Sequence, residues 1–257
     1  MTYRPNGDYN TDVRLGNIVG REMLLIVGHD ETVPNGGPFN LSPEFGVNGY
    51  LVDQSAISAT PAVVGVASSD NVADNVGGTG ALTVLVSGLD GSGNAQSELV
   101  TMTGQTAVNT VNTYSAVFTL TVATTGTADR NQGTLWCGTG TFTLGVPAVR
   151  MLSMEALFGQ SMTAYYVVPT GKIFVMKQMV LTVAAGASKD IEVQFEVSPD
   201  GKKWVRRAPV GLAAGDLAAQ VLALPALPAG THLQVCVSGS AANTDVTVLV
   251  SAEIVDV

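Results

Sequence analysis

Between residues 77 and 122 the chain alternates aliphatic side chains with threonine and serine and breaks the alternation only at short Gly-, Asn- and Asp-rich turns. A period of two is the signature of extended backbone, because successive side chains of a strand leave opposite faces of a sheet. Leu82, Val84 and Val86 fall on one face, and Thr83 and Leu85 on the other. Asp90-Gly91-Ser92-Gly93 then turns the chain into 98–103, where the alternation resumes, so a hairpin is predicted here. Residues 117–122 and 140–144 continue the pattern, as antiparallel strands with one wet face do. From about Thr163 a second strand-rich region follows, with candidate strands at 165–168, 173–176, 179–183, 191–197, 204–207, 233–237 and 246–250. Their spacing suits a sandwich or jelly roll, with turns at Pro169-Thr170-Gly171 and Ser198-Pro199-Asp200-Gly201. Gly215 and Pro225 favour a loop and then a strand over a helix in 211–224.

The first sixty residues read differently. They hold one apolar run, 23–27, and then a stretch from Thr32 to Gly49 broken by Pro34, Gly36, Gly37, Pro38, Pro43 and Gly46. A structureless segment of that length is either disordered or laid against a partner. Phe39, Leu41, Phe45, Val47 and Tyr50, spaced through it, are poor composition for a free tail and good anchors for docking. The expectation is therefore an all-β chain with an extended N-terminal docking arm (1–60), a first antiparallel β-sandwich (61–150), a linker (151–159) and a second, jelly-roll-like sandwich (160–257).

Reactive chemistry is sparse. His29 and His232 are the only imidazoles, and neither accompanies a Gly-x-Ser-x-Gly nucleophile turn, so no catalytic residues and no enzyme are expected. His29 reads as a solvated loop residue, and His232 as a turn residue beside a strand. Cys137 and Cys236 sit in apolar surroundings and read as buried free thiols. Asp90, Ser92, Asn94 and Glu98 resemble a calcium loop only superficially, since Thr101 stands where the bidentate Glu should be. Asp70, Asn71, Asp74 and Asn75 read as a solvated loop. Neither group predicts a metal, and no cofactor is expected.

A net charge of -9 opposes nucleic acid as a partner. Residues 1–10 lack an apolar core of the kind a secretory signal carries, and no unbroken apolar run reaches membrane-spanning length, so no membrane insertion is expected. Charged residues make up 13% of the chain, about half the usual share. Such a surface is easier to maintain when covered in an assembly, which points to a homo-oligomer. Lys202, Lys203, Arg206 and Arg207 cluster around Trp204 and could clamp a phosphate or sugar acid. A strand would put Arg206 with Trp204 on one face and Lys203 with Arg207 on the other, so a solvated hairpin or pairing to an acidic neighbouring subunit is the favoured reading. The candidate glycan or subunit contact is Trp204 and Arg206 with Tyr165 and Tyr166.

Two stretches carry a resemblance. Residues 77–114, GGTGALTVLVSGLDGSGNAQSELVTMTGQTAVNTVNTY, resemble a segment recurring in accessory virion proteins of tailed bacteriophages. Residues 159–183, beginning GQSMTAYYVVPTGKIFVMKQM, look like its companion, with a Tyr-x-Val-Pro-x-Gly-Lys turn. The Ser198-x-Asp200-Gly201-x-x-Trp204 pattern is similar to a hairpin of discoidin-like sugar- and lipid-binding sandwiches. The resemblance implies a non-enzymatic virion structural protein, a short tail fibre or head-tail-junction appendage anchored by its arm. Its alternatives are a capsid decoration protein and a glycan-binding module for host recognition. The partners implied are copies of itself, a connector, adaptor or major capsid protein, and host surface glycan.

Overall fold

The computed structural model describes residues 9–33, 37, 54–183, 191–212, 217–220, 224–239 and 244–257. The chain begins with a short helix, α1 (Tyr9–Arg14), and a strand, β1 (Arg21–Val33). From residue 54 come a helical turn, α2 (Ser55–Ala59), and then β2 (Gly65–Ser68), β3 (Ala81–Leu89), β4 (Ala95–Thr101), β5 (Val108–Asn109), β6 (Ala116–Thr125), β7 (Leu135–Thr143) and β8 (Val146–Met154). These strands form two sheets, ordered β5-β2-β7-β8 and β4-β3-β6. Both contribute to one core: Val64, Val66, Leu135, Met151 and Leu152 come from the first sheet and its flanks, Val84, Val86, Val100 and Leu120 from the second, and Ile57 of α2 joins them. The residues facing inward alternate along β3 as the sequence predicts, Val84 and Val86 being buried while Thr83 and Leu85 are partly exposed.

The remaining strands are β9 (Tyr165–Val167), β10 (Lys172–Val183), β11 (Ile191–Ser198), β12 (Val205–Leu212), β13 (Leu217–Gln220), β14 (Leu227–Pro228), β15 (His232–Gly239) and β16 (Thr244–Asp256). They form sheets ordered β1-β16-β10-β13, with β14 also on β10, and β9-β15-β11-β12. A second core lies between them, built from Ile26, Phe174, Leu181, Val248 and Val250 on one side and Val193, Phe195, Leu233 and Val235 on the other. Every strand pairing among the described residues is antiparallel, so the all-β expectation holds.

The leading segment corrects the arm expectation. β1 pairs residue by residue with β16, from Arg21↔Val255 to Asp30↔Val246, and its Ile26 and Val33 enter the second core. α1 closes against the same sheet: the Tyr9 hydroxyl donates to Glu253, which also takes Arg21. Gly37 (φ +117) then runs so close to β15 that a Cβ there would lie 2.7 Å from the Val237 carbonyl oxygen. The chain next reaches the first core at Gln54, whose buried carboxamide bonds both the N–H and the carbonyl of Val117. The unit around the first core is therefore inserted between β1 and β9 of the second, and the two are not consecutive along the chain. Phe39, Leu41, Phe45, Val47 and Tyr50 lie outside the described residues, between these two fixed points.

The expected linker is corrected as well. Its residues 151–154 are the end of β8, which pairs with β7 and places Met151, Leu152 and Met154 in the first core. What joins the two units is a smaller apolar cluster of Leu89, Ala116, Trp136, Tyr165 and Val167, with Phe118, Val146 and Trp204 packed on it.

Candidate functional site

The junction between the units holds most of the chain's unusual chemistry. β9 lies against β15 with Val167 opposite His232, which brings the Tyr165 hydroxyl 2.7 Å from His232 Nδ1. From the other unit, Ser58 of α2 places its Oγ 3.4 Å from His232 Nε2. Gly201, at φ +70, lets the 198–203 turn pass the imidazole, since a Cβ there would sit 3.0 Å from the ring. Within that turn Asp200 accepts the backbone N–H groups of Lys203 and Lys202, which hold its carboxyl down at about 2. Burial lowers the pKa of His232 from 6.5, and the Asp200 charge pulls it partly back. Ser58, Asp200, Lys202 and His232 line a cleft of about 410 Å³ together with Leu89, Gly93 and Thr170. Thr170 ties the units together across it, through its N–H to Gly93 O and its hydroxyl to Ser92 O, both at 2.8 Å.

The Ser58–His232 pair is not a hydrolase relay. Such a relay needs a carboxylate on the far imidazole nitrogen. Here that nitrogen is engaged by a tyrosine hydroxyl, and Asp200 accepts hydrogen bonds within its own turn. The arrangement orients the His232 imidazole at a seam between two units. His232 is thus a buried strand residue, not the turn residue expected. His29 is also corrected: it lies in β1, bonded to Thr247 Oγ1 at 2.9 Å and facing the Phe158 ring of the first unit.

The four residues expected to form a glycan or subunit contact are dispersed. Tyr165 and Tyr166 point to opposite faces of β9, Tyr165 into the junction cluster and Tyr166 into the second core. Trp204 packs on the junction cluster beside Tyr165, just before β12 begins. Arg206 stands apart with its side chain 52% exposed, 3.6 Å from Glu192 and 3.7 Å from Glu196. The structure therefore places Trp204 and Tyr165 in one apolar cluster and Arg206 beside Glu192 and Glu196.

The acidic loops bind their own backbone. Asp90 Oδ1 accepts the N–H groups of Ser92 and Asn94, closing the hairpin turn. Asp74 corrects the solvated-loop expectation: it is fully buried, with Oδ1 accepting from Ala81 N (2.7 Å) and Gln132 N (2.9 Å), and Oδ2 from Ser68 Oγ (2.7 Å) and Gly133 N (2.8 Å). Burial pushes the Cys137 thiol up to about 12 and raises Cys236 well above its ordinary value, so both are inert free thiols.

A second hollow at the junction escaped the sequence reading. It has a volume of about 460 Å³ and is lined by Ser87, Gly88, Ala95, Gln96 and Ser97 of β3 and β4, by Phe118, and by Tyr166 and Pro169 of the other unit. Ser97, Ser87 and Thr119 stand opposite one another on β4, β3 and β6, making a hydroxyl-bearing row that leads to the aromatic wall. In that wall the Phe118 and Tyr166 rings lie 4.6 Å apart between centroids. No local pattern signals this site, because its walls come from segments that meet only through the insertion.

No protein-family model and no curated protein matches the chain. Among solved structures, similarity extends to the infectious bursal disease virus Gt strain at 10% identity, covering 92% of this chain and 74% of that chain, with a TM-score of 0.20. The Gx strain of the same virus aligns at 9% identity over 92% of this chain and 75% of that one, with a TM-score of 0.20. The VP2 subviral particle of that virus aligns at 10% identity over 92% and 75%, with a TM-score of 0.18.

Proposed function

We propose that the protein is a non-enzymatic structural component of a tailed-phage virion, built of two β-sandwich units and attached as a tail-fibre or head-tail-junction appendage. The observation that carries this reading is the placing of residues 38–53 between two fixed points, Gly37 beside β15 and Gln54 on β6. Five apolar anchors occur within that segment, Phe39, Leu41, Phe45, Val47 and Tyr50. A segment tethered at both ends has less conformational freedom to lose on docking than a free tail, so its anchors give more net affinity for the same buried area. The proposed docking element is thus the segment between Gly37 and Gln54 and not the whole of residues 1–60. Its partners are other virion proteins and copies of the same chain. Further support comes from the resemblance of residues 77–114 and 159–183 to accessory virion proteins, and from acidic groups that serve turns instead of a reaction centre.

The test is incorporation. A chain carrying Phe39→Ser, Phe45→Ser and Tyr50→Ser should melt like the parent yet be absent from purified particles, whereas incorporation at the parental level would refute the docking role. Quantitative mass spectrometry of the same particles separates the two attachment sites. A few tens of copies or fewer fit the appendage, and copies in the hundreds would instead make the chain a capsid decoration protein.

A further inference from the structure

We infer that the hollow between the β3-β4 face and Tyr166 is a binding site for a neutral carbohydrate. Its volume of about 460 Å³ lies within the range of small-molecule sites, roughly 300–1,000 Å³. In a chain of net charge -9, no Asp, Glu, Lys, Arg or His lines it among the described residues. A charged ligand would give up its hydration there and find no counter-charge, so the site selects against ions of either sign. What the walls do offer is hydroxyl groups beside aromatic rings. Ser87 and Ser97 stand opposite each other on β3 and β4 and can each donate and accept. Gln96, whose side chain leaves the other face of β4 and donates to the Thr113 carbonyl at 2.7 Å, holds the strand that carries Ser97. Phe118 and Tyr166, tilted at 40°, present an apolar surface beside these polar groups.

A pyranose has the complementary pattern, with C–H groups on its faces and hydroxyls around its rim. One face can lie on the aromatic wall while the rim meets Ser87 and Ser97. Ser97 is on the exposed edge strand β4 and opens the hollow to solvent, which gives an extended oligosaccharide a way out along the hydroxyl-bearing row toward Thr119. Gly88 permits the geometry: a Cβ there would lie 2.0 Å from the Ala116 carbonyl, so any other residue would push β6, and Phe118 with it, out of place. The site does not depend on the virion role, since it needs only the two units in contact.

The experiment uses the full chain and a panel of neutral oligosaccharides built from glucose, galactose and mannose, with sialyllactose as the anionic comparison. Ligand-observed saturation-transfer NMR finds the binders, and calorimetry measures them. At least one neutral oligosaccharide should bind, and Ser97→Trp, which fills the mouth from an exposed strand position, should weaken it by about tenfold or more at an unchanged melting temperature. Ser87→Val should weaken it as well, while Lys202→Ala in the neighbouring cleft should leave it unchanged. The assignment is overturned if no neutral oligosaccharide gives a signal, if sialyllactose binds in preference, or if Ser97→Trp and Ser87→Val both leave affinity intact.

Discussion

Asp74 shows how much of the first unit depends on one carboxylate. Three backbone N–H groups and one hydroxyl converge on it from β3, from the 131–134 turn and from the end of β2. Asp74→Ala would strand those donors in the interior, and unsatisfied buried groups make the expected loss about 3 kcal/mol or more, read as a lower urea midpoint at constant slope. Two other side chains set the response to pH. Burial lowers His232 below 6.5, so the unfolded chain takes up its proton first; stability should fall as pH drops through 6.5 toward the folded value, and no such loss exists above 6.5. His232→Gln should flatten that limb in melting temperature against pH. Glu253 has the opposite balance. Burial raises its pKa, but the hydrogen bonds from Lys177, Tyr9 and Arg21 outweigh that and bring it from 4.5 to about 2. Its contribution is complete above 4.5 and lost as pH falls from there to about 2, so Glu253→Gln should abolish this acid limb and cost about 2–3 kcal/mol at neutral pH.

Among the elements, the hairpins were legible in the sequence because both partners and the turn lie within a few residues. β3 and β4 are joined by a turn whose Asp90 holds Ser92 and Asn94, and the alternation on each side fixes the register. β10 reads as two short strands because Lys177 and Gln178 interrupt its apolar pattern, yet the backbone absorbs them as a bulge between Met176 and Gln178 within one strand. β1 was hidden for a different reason. Its Glu253 partner stands 232 residues from Arg21, and both of its faces carry aliphatic residues, so no clean alternation announces a sheet strand. That two-sided pattern makes a sharp prediction. Ile26→Ala, in the second core, should cost about 2–4 kcal/mol, while Leu25→Ala, 56% exposed on the outer face, should stay within about 0.5 kcal/mol. If β1 were an arm, the two substitutions would have equal and small effects. The carbohydrate hollow was illegible for the same reason as β1, since the Ser87–Ser97 hairpin pair meets Phe118 and Tyr166 only after long-range pairing is complete.

For the whole molecule, the insertion decides what can fold alone. Residues 54–161 contain both sheets of the first core and should fold and melt cooperatively as a fragment. Residues 162–257 lack β1, which leaves the pairing edge of β16 open and removes Ile26 from the core, so this fragment should aggregate or remain unfolded unless residues 9–33 are supplied. Circular dichroism and sedimentation of the two fragments check this. The most direct test of the account is native-state hydrogen exchange on the intact chain, followed at the β1 amides that bond to β16. The account predicts that these amides exchange only through global unfolding, in step with the protected amides of β10 and β16. Exchange at free-chain rates in β1, while β10 and β16 stay protected, would contradict it.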